Sequence, residues 1–193
     1  MDVNERLARR LLELREERGL TIEELAARSG VSRAMISRIE RAESSPTATV
    51  LNKLATGLAV LLPALFTPTG HAEPRLQQRH PVVSRKGQPQ WRDPETGYTR
   101  RTLTPATAQQ PLQLSEIHFP AGARVTFENA FGAHPVHQQI WMLDGHLDIQ
   151  LDHETSHLKP GDCMAMKLDS PITFHNPGAK PARYLVAILG SLR

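Results

Sequence analysis

The sequence predicts an α + β protein in two domains: a five-helix bundle over residues 1–66 and a β-barrel over residues 88–193, the barrel with an N-terminal extension and a linker at 67–87 before it. Three observations predict it. Leu, Ala, Ile and Val recur at helical spacing as far as Phe66. From Leu112 onward, apolar and polar residues alternate in short runs broken by Gly, Pro or Asp. Between these halves, T-P-T-G-H-A-E-P-R-L-Q-Q-R-H-P (67–81) has little hydrophobic pattern and reads as a connecting segment.

The elements follow in order. Helix one is expected from about Val3 to Arg18, with Leu7, Leu11 and Leu14 on one stripe and Gly19 as its stop. Thr21 with Glu24 three residues on has capping-box form and opens helix two, which ends near Ser29-Gly30. Ser32 caps helix three, which runs to about Ala42. Ser45-Pro46 is read as cap plus first helical proline for helix four, which extends to Leu58. A short fifth helix covers Pro63 to Phe66. Eight strands are expected: Leu112–Phe119, Arg124–Glu128, Gln138–Leu143, His146–Leu151, Thr155–Leu158, Cys163–Leu168, Ile172–His175 and Arg183–Leu189. Asp144-Gly145 reads as a two-residue hairpin turn and Pro160-Gly161-Asp162 as a second turn.

Composition excludes other classes. An apolar fraction of 39% with 22% charged residues argues against a disordered or collagen-like chain. The single cysteine makes no internal disulfide, and no signal peptide or membrane-spanning run is visible, so a soluble, cytoplasmic protein is expected. A net charge of +3 is a weak argument for nucleic acid, so any such case rests on where particular arginines point.

Residues 22–41 carry that case. Ala26 is small where two helices would cross, and Gly30 sits at the turn, where positive φ is easiest for glycine. Leu25, Val31, Ile36 and Ile39 supply the packed side. Ser32, Arg33, Ala34, Ser37, Arg38 and Arg41 are left outward, on a helix able to lie in the major groove. Arg33 and Arg38 have the fork geometry for guanine or phosphate, and Ala34 allows close approach to a thymine methyl. A solvated basic face is the blander account of the same residues.

Residues 4–66 resemble the Cro/phage-repressor (XRE) class of helix-turn-helix, and V-S-R-A-M-I-S-R-I-E-R-A-E-S-S-P-T resembles the recognition helix and following loop of the branch with one C-terminal β-barrel. Ala42 replaces the glycine usual in that loop, a change expected to cost little if the backbone there is helical. The resemblance puts base contacts on Arg33, Ala34, Ser37 and Arg38, and phosphate contacts on Thr21, Ser44, Ser45 and Thr47. Thr21, Ser45 and Thr47 also stand at expected helix starts, where capping alone would explain them.

Residues 112–190 resemble a cupin barrel (a double-stranded β-helix) through H-P-V-H-Q-Q-I-W-M-L-D-G-H-L-D-I (134–149), P-G-D (160–162) and F-H-N-P-G-A-K-P-A (174–182). Metal-binding cupins use His and Glu from the first motif and His from the second. Here the glutamate slot is Gln138 and the second-motif histidine slot is Ile172, so the inherited metal site looks dismantled and no cofactor is expected. A shifted divalent-metal site at His134, His137 and His175 is the alternative, and hydrogen bonding within the pocket or on its rim is the plainer role for these histidines. On alternation, Gln138, Ile140 and Met142 share one face and His137, Gln139 and Trp141 the other. A mixed wall built from His134, His137, Gln138, Ile140, Met142, Ile172 and His175 suits a small organic ligand. Glu116 and His118 either join that wall or lie exposed on a half-buried strand.

These readings imply a DNA-binding transcription regulator with small-molecule sensing, not an enzyme. Its expected partners are a double-stranded operator, an effector such as an amino acid, amine or sulfur compound, and a second copy of itself, with no membrane. A metal-dependent cupin enzyme with a tethered DNA-binding domain, and an antitoxin-like interaction module, are the alternatives.

Overall fold

The computed structural model describes residues 3–66, 82–105, 112–129 and 136–190. The described helical part has four α-helices: α1 (Val3–Glu17), α2 (Ile22–Ser29), α3 (Arg33–Glu40) and α4 (Ala48–Gly57). The expected fifth helix is a single 3-10 turn, Leu62–Phe66. Leu7, Leu11 and Leu14 of α1 bury the predicted stripe against Leu25, Ile36, Ile39, Leu51 and Leu54. The capping box at Thr21 is present in both directions, and Gly30 ends α2 in the left-handed region at φ 67°. Gly57 lets α4 approach α2 closely, since a Cβ there would lie 2.8 Å from that of Ser29.

Two helix ends differ from the expectation. α4 is capped by Thr47, whose hydroxyl accepts from the Val50 amide at 3.4 Å; Ser45 and Pro46 precede the helix. The reason lies 45 residues away in sequence: the amide of Ala48 donates to Oδ1 of Asp93 at 3.0 Å, so the second domain completes this N-terminus. α3 stops at Glu40, and Ala42 has φ 58°, not a helical backbone. The replacement of glycine at this position therefore places a Cβ in a strained conformation.

The second domain contains ten described strands: β1 (Gln90–Arg92), β2 (Thr99–Thr102), β3 (Leu112–Phe119), β4 (Arg124–Phe127), β5 (His137–Asp144), β6 (Leu147–Leu151), β7 (Glu154–Leu158), β8 (Cys163–Lys167), β9 (Ile172–His175) and β10 (Ala182–Leu189). They form two antiparallel sheets, β1-β2-β3-β10-β5-β8 and β4-β9-β6-β7, facing each other across the core. β1 and β2 are additions to the eight expected strands. Asp144-Gly145 does not close a hairpin, because β5 belongs to the first sheet and β6 to the second. It is a corner, and Gly145 (φ 76°) is needed there because a Cβ would lie 2.8 Å from the Ala182 Cα. The two-residue hairpin turn is Asp152-His153, between β6 and β7. Cys163, the first residue of β8, is exposed.

The domains share one core. Phe66, Trp91, Tyr98, Phe119, Tyr184, Phe174 and Phe127 form a continuous series of ring contacts, with centroids 5.6–6.4 Å apart, from the helical part across the inner wall of the sheets. Asn52 of α4 donates to the Glu128 carbonyl at 2.8 Å, just beyond β4.

Candidate functional site

The helix-turn-helix is held on its apolar side and open on the other. Leu25, Val31, Ile36 and Ile39 are buried, while Arg33, Ala34 and Arg38 are exposed and Ser37 is half-buried. Ser32 caps α3 by accepting from the Met35 amide at 3.3 Å. At its far end, Glu40 accepts a fork from Arg15 of α1, Nε to Oε1 at 2.7 Å and Nη2 to Oε2 at 2.9 Å, which fixes the rotation of α3. Nothing in the local pattern announced this long-range pair.

The cations of this face differ in their partners. Arg33 pairs with Glu23 of α2, and both side chains are largely exposed. Arg41 donates to both carboxylate oxygens of Glu43 at 2.8 Å and to the Ser37 hydroxyl at 2.6 Å. The Arg38 side chain makes no hydrogen bond or ion pair among the described residues, although its charge helps lower the pKa of the Glu43 carboxyl after the hydrogen bond from Arg41. An exposed ion pair is worth less than about 1 kcal/mol, against about 1–3 kcal/mol for a good bidentate base contact. Arg33 can therefore leave Glu23 for a guanine.

The four expected phosphate-contact residues separate. The Thr21 hydroxyl and amide are both engaged with Glu24, whose carboxyl is held below its usual range by the Thr21 backbone and side-chain hydrogen bonds. Thr47 caps α4, and the adjacent Ala48 amide donates to the Asp93 carboxylate. Ser44 donates to the Met35 sulfur at 3.9 Å, and Ser45 is exposed.

Between the sheets, beneath α4, lies a mainly apolar cavity of about 50 Å³, room for a few waters or a small ligand. Its wall includes Ile117, Phe119, Ile172, Phe174 and Val186, and its polar groups are Gln138, Asn129, Asn52, Arg100 and the two tyrosines Tyr98 and Tyr184. The expected residues divide according to strand alternation. Gln138 and Ile172 line the cavity, and Ile140 and Met142 are fully buried on the face of β5 that Gln138 shares. His137 is exposed on the opposite face of β5. His175 faces away from the buried Ile172 and Phe174, with its Nδ1 3.7 Å from Asp148. Glu116 and His118 are also off the cavity: Glu116 is buried in an ion pair with Arg101, with Arg183 at 3.4 Å, and His118 is exposed. Burial alone would raise the Glu116 carboxyl, but the hydrogen bond and charge of Arg101, aided by His118 and Arg183, hold it below its usual value. His134 lies outside the described residues.

This placement bears on the metal alternative. His137 and His175 do not converge, and the two cupin ligand slots carry an amide and an alkyl chain. The Gln138 amide donates to the Met166 sulfur at 3.7 Å. Neither slot fits a divalent-metal donor set, and among the described residues no cluster of three His, Cys, Asp or Glu forms.

The residues that sequence reasoning missed are Tyr98 and Arg100 of the β1–β2 addition, and Asn52 of α4. The buried set Tyr98, Arg100 and Thr102 becomes visible only once β2 is paired with β3. Arg100 is only 5% exposed. Burial lowers the pKa of its guanidinium, and its charge is favoured mainly by Tyr98 and Tyr184, with a hydrogen bond to Tyr98. Burial raises Tyr98 to about 12 and pushes Tyr184 well above the usual phenol value. Both rings are therefore neutral at physiological pH.

Comparison with known proteins agrees with this layout. A helix-turn-helix family model matches residues 11–65 and a cupin domain model matches residues 116–188. The chain is 29% identical over 181 residues to the HTH-type transcriptional regulator SutR of Escherichia coli, covering 92% of this chain and 91% of that one. It is 42% identical over 69 residues to the HTH-type regulator y4dJ of Sinorhizobium fredii, covering 36% of this chain and 90% of the relative. The crystal structure of an HTH_3 family transcriptional regulator from Vibrio cholerae superposes with a TM-score of 0.73 at 26% identity, covering 97% of this chain and 96% of that chain. Among the described residues, no helix is long and apolar enough to cross a membrane. With both modules matched, in the order and with the turn, caps and sheets described above, the chain belongs to the XRE-type helix-turn-helix transcriptional regulators that carry a cupin domain.

Proposed function

We propose that this regulator acts in the cytoplasm as a dimer, that α3 reads operator sequence in the major groove, and that a small metabolite in the barrel cavity sets operator affinity. The observation that carries the reading is a shared wall. Asn52 of α4, with Leu61 and Leu62 at the start of the 3-10 turn, borders the same cavity as Ile172 and Phe174 of β9. A ligand there touches both domains, so different domain arrangements bind it with different affinity, as coupling requires. α4 in turn packs on the last residue of α2 at Gly57, one turn away from α3.

Dimerisation supplies the second reading helix, because two recognition helices about 34 Å apart read both halves of a near-palindrome. The outer face of the six-stranded sheet supports it: Trp141 is 51% exposed, beside Leu114, Leu185 and Ala187. A regulatory role is favoured over catalysis by the donor set at the cupin slots and by the names of the relatives.

The test is fluorescence anisotropy of the full chain on DNA from upstream of its own gene. Arg38→Ala is expected to weaken binding at least about fivefold, the low end for one base contact. Unchanged affinity in both Arg38→Ala and Arg33→Ala refutes this reading face. Sedimentation of Trp141→Asp is expected to give monomers, and a monomeric wild-type chain refutes the dimer.

A further inference from the structure

We propose that the barrel cavity is a binding site for a small organic monocarboxylate, with Arg100 as its charge partner. The inference rests on the effector reading above and names the chemical class of that effector. Arg100 is buried on the inward face of β2 and borders the cavity. Its Nε and Nη2 are buried and have no hydrogen-bond partner among the described residues. These two nitrogens form one edge of the guanidinium, with N–H bonds pointing the same way. The same edge meets a carboxylate twice elsewhere in this chain, from Arg15 to Glu40 and from Arg41 to Glu43. Among the described residues, the groups that act on the Arg100 charge are two phenols and no carboxylate.

Charge balance selects the class. An isolated buried cation is costly, and one anion accepting both N–H bonds offsets that cost. Tyr98 and Tyr184 are neutral, so one guanidinium balances one negative charge. A phosphate monoester brings close to two negative charges and needs further donors, whereas a carboxylate matches the fork with one. The rest of the wall suits a short, mainly apolar body: Ile117, Phe119, Ile172 and Phe174 surround it, with Gln138 available for one polar substituent. The small cavity excludes a bulky ligand.

The experiment is titration calorimetry and thermal shift on the full chain. The probes are acetate, propanoate, butanoate and benzoate, with the matching primary amides and inorganic phosphate as controls. At least one carboxylate is expected to bind and raise the melting temperature, while its amide binds at least about tenfold more weakly because the charge-assisted fork is lost. Arg100→Met, which keeps the apolar stem, is expected to abolish the carboxylate response with its far-UV spectrum intact. Arg100→Lys, which keeps the charge but not the fork, is expected to retain part of it. Amides that bind as well as acids, phosphate that binds better than every carboxylate, or no carboxylate binding at all overturns the proposal. Operator affinity measured with each probe separates the two readings. Carboxylate binding that leaves operator affinity unmoved sinks the sensing reading and keeps the site. Operator affinity that responds to the amides and not the acids keeps sensing and sinks the site.

Discussion

Arg15, half-buried in the helical domain, and Arg100, buried in the barrel domain, face opposite circumstances. Arg15 places its fork on Glu40 and its remaining nitrogen, Nη1, 2.8 Å from the Leu20 carbonyl. The hydrogen bond to Glu40 raises its pKa against the opposing effect of burial. Among the described residues Arg100 meets the phenols Tyr98 and Tyr184 and no carboxylate, and burial lowers its pKa. An internal charge whose counter-charge lies in the same chain holds the fold, while one without it leaves its hydrogen-bonding edge open to a partner.

The largest test of this contrast is Glu40→Ala. It leaves Arg15 half-buried without its carboxylate and should cost roughly 1–3 kcal/mol in urea unfolding, because charge-assisted hydrogen bonds are lost and their donor is left unpaired. Arg100→Met should move the same measurement the other way, by about 1–2 kcal/mol, since an apolar side chain replaces a charge with no internal carboxylate. Losses of similar size in both variants would end the distinction. Ala42→Gly separates backbone strain from the ion pair two residues earlier. It relieves a left-handed alanine and should add about 0.5–1 kcal/mol while operator binding is retained.

The mildest test uses Glu116, the internal carboxylate that Arg101 has and Arg100 lacks. Its folded-state pKa is depressed, so its contribution is complete above the unfolded carboxylate pKa and is lost as pH falls through the folded one. Glu116→Gln should therefore flatten the loss of stability with acid and leave the slope near neutral pH unchanged. An identical acid profile for wild type and variant would assign that carboxylate no linkage.

What was readable in the sequence follows from how local each cause is. The caps at Thr21 and Ser32, the turn at Gly30 and the buried faces of α1–α3 depend on neighbours within a few residues, and all were anticipated. So was the inward set Gln138, Ile140 and Met142, because alternation along a strand is local too. The start of α4 was not, because Asp93 in another domain completes it. Asp144-Gly145 misled because a turn signal says nothing about which sheet the next strand joins. The histidines drew attention to the outer faces of β5 and β9, while the charged group at the cavity sits on β2. That strand lies in a short basic stretch with too few apolar residues to show a pattern before its partner β3 is known.

The Asp93 carboxylate has one further consequence. Its other oxygen accepts from the amide and hydroxyl of Thr96, so the D-P-E-T-G turn is braced while it serves α4. A chimera that grafts a foreign sensor behind residues 1–66 would deprive α4 of this acceptor unless the donor brought an equivalent acid. The two modules were matched as separate families, but in this molecule they are not interchangeable parts.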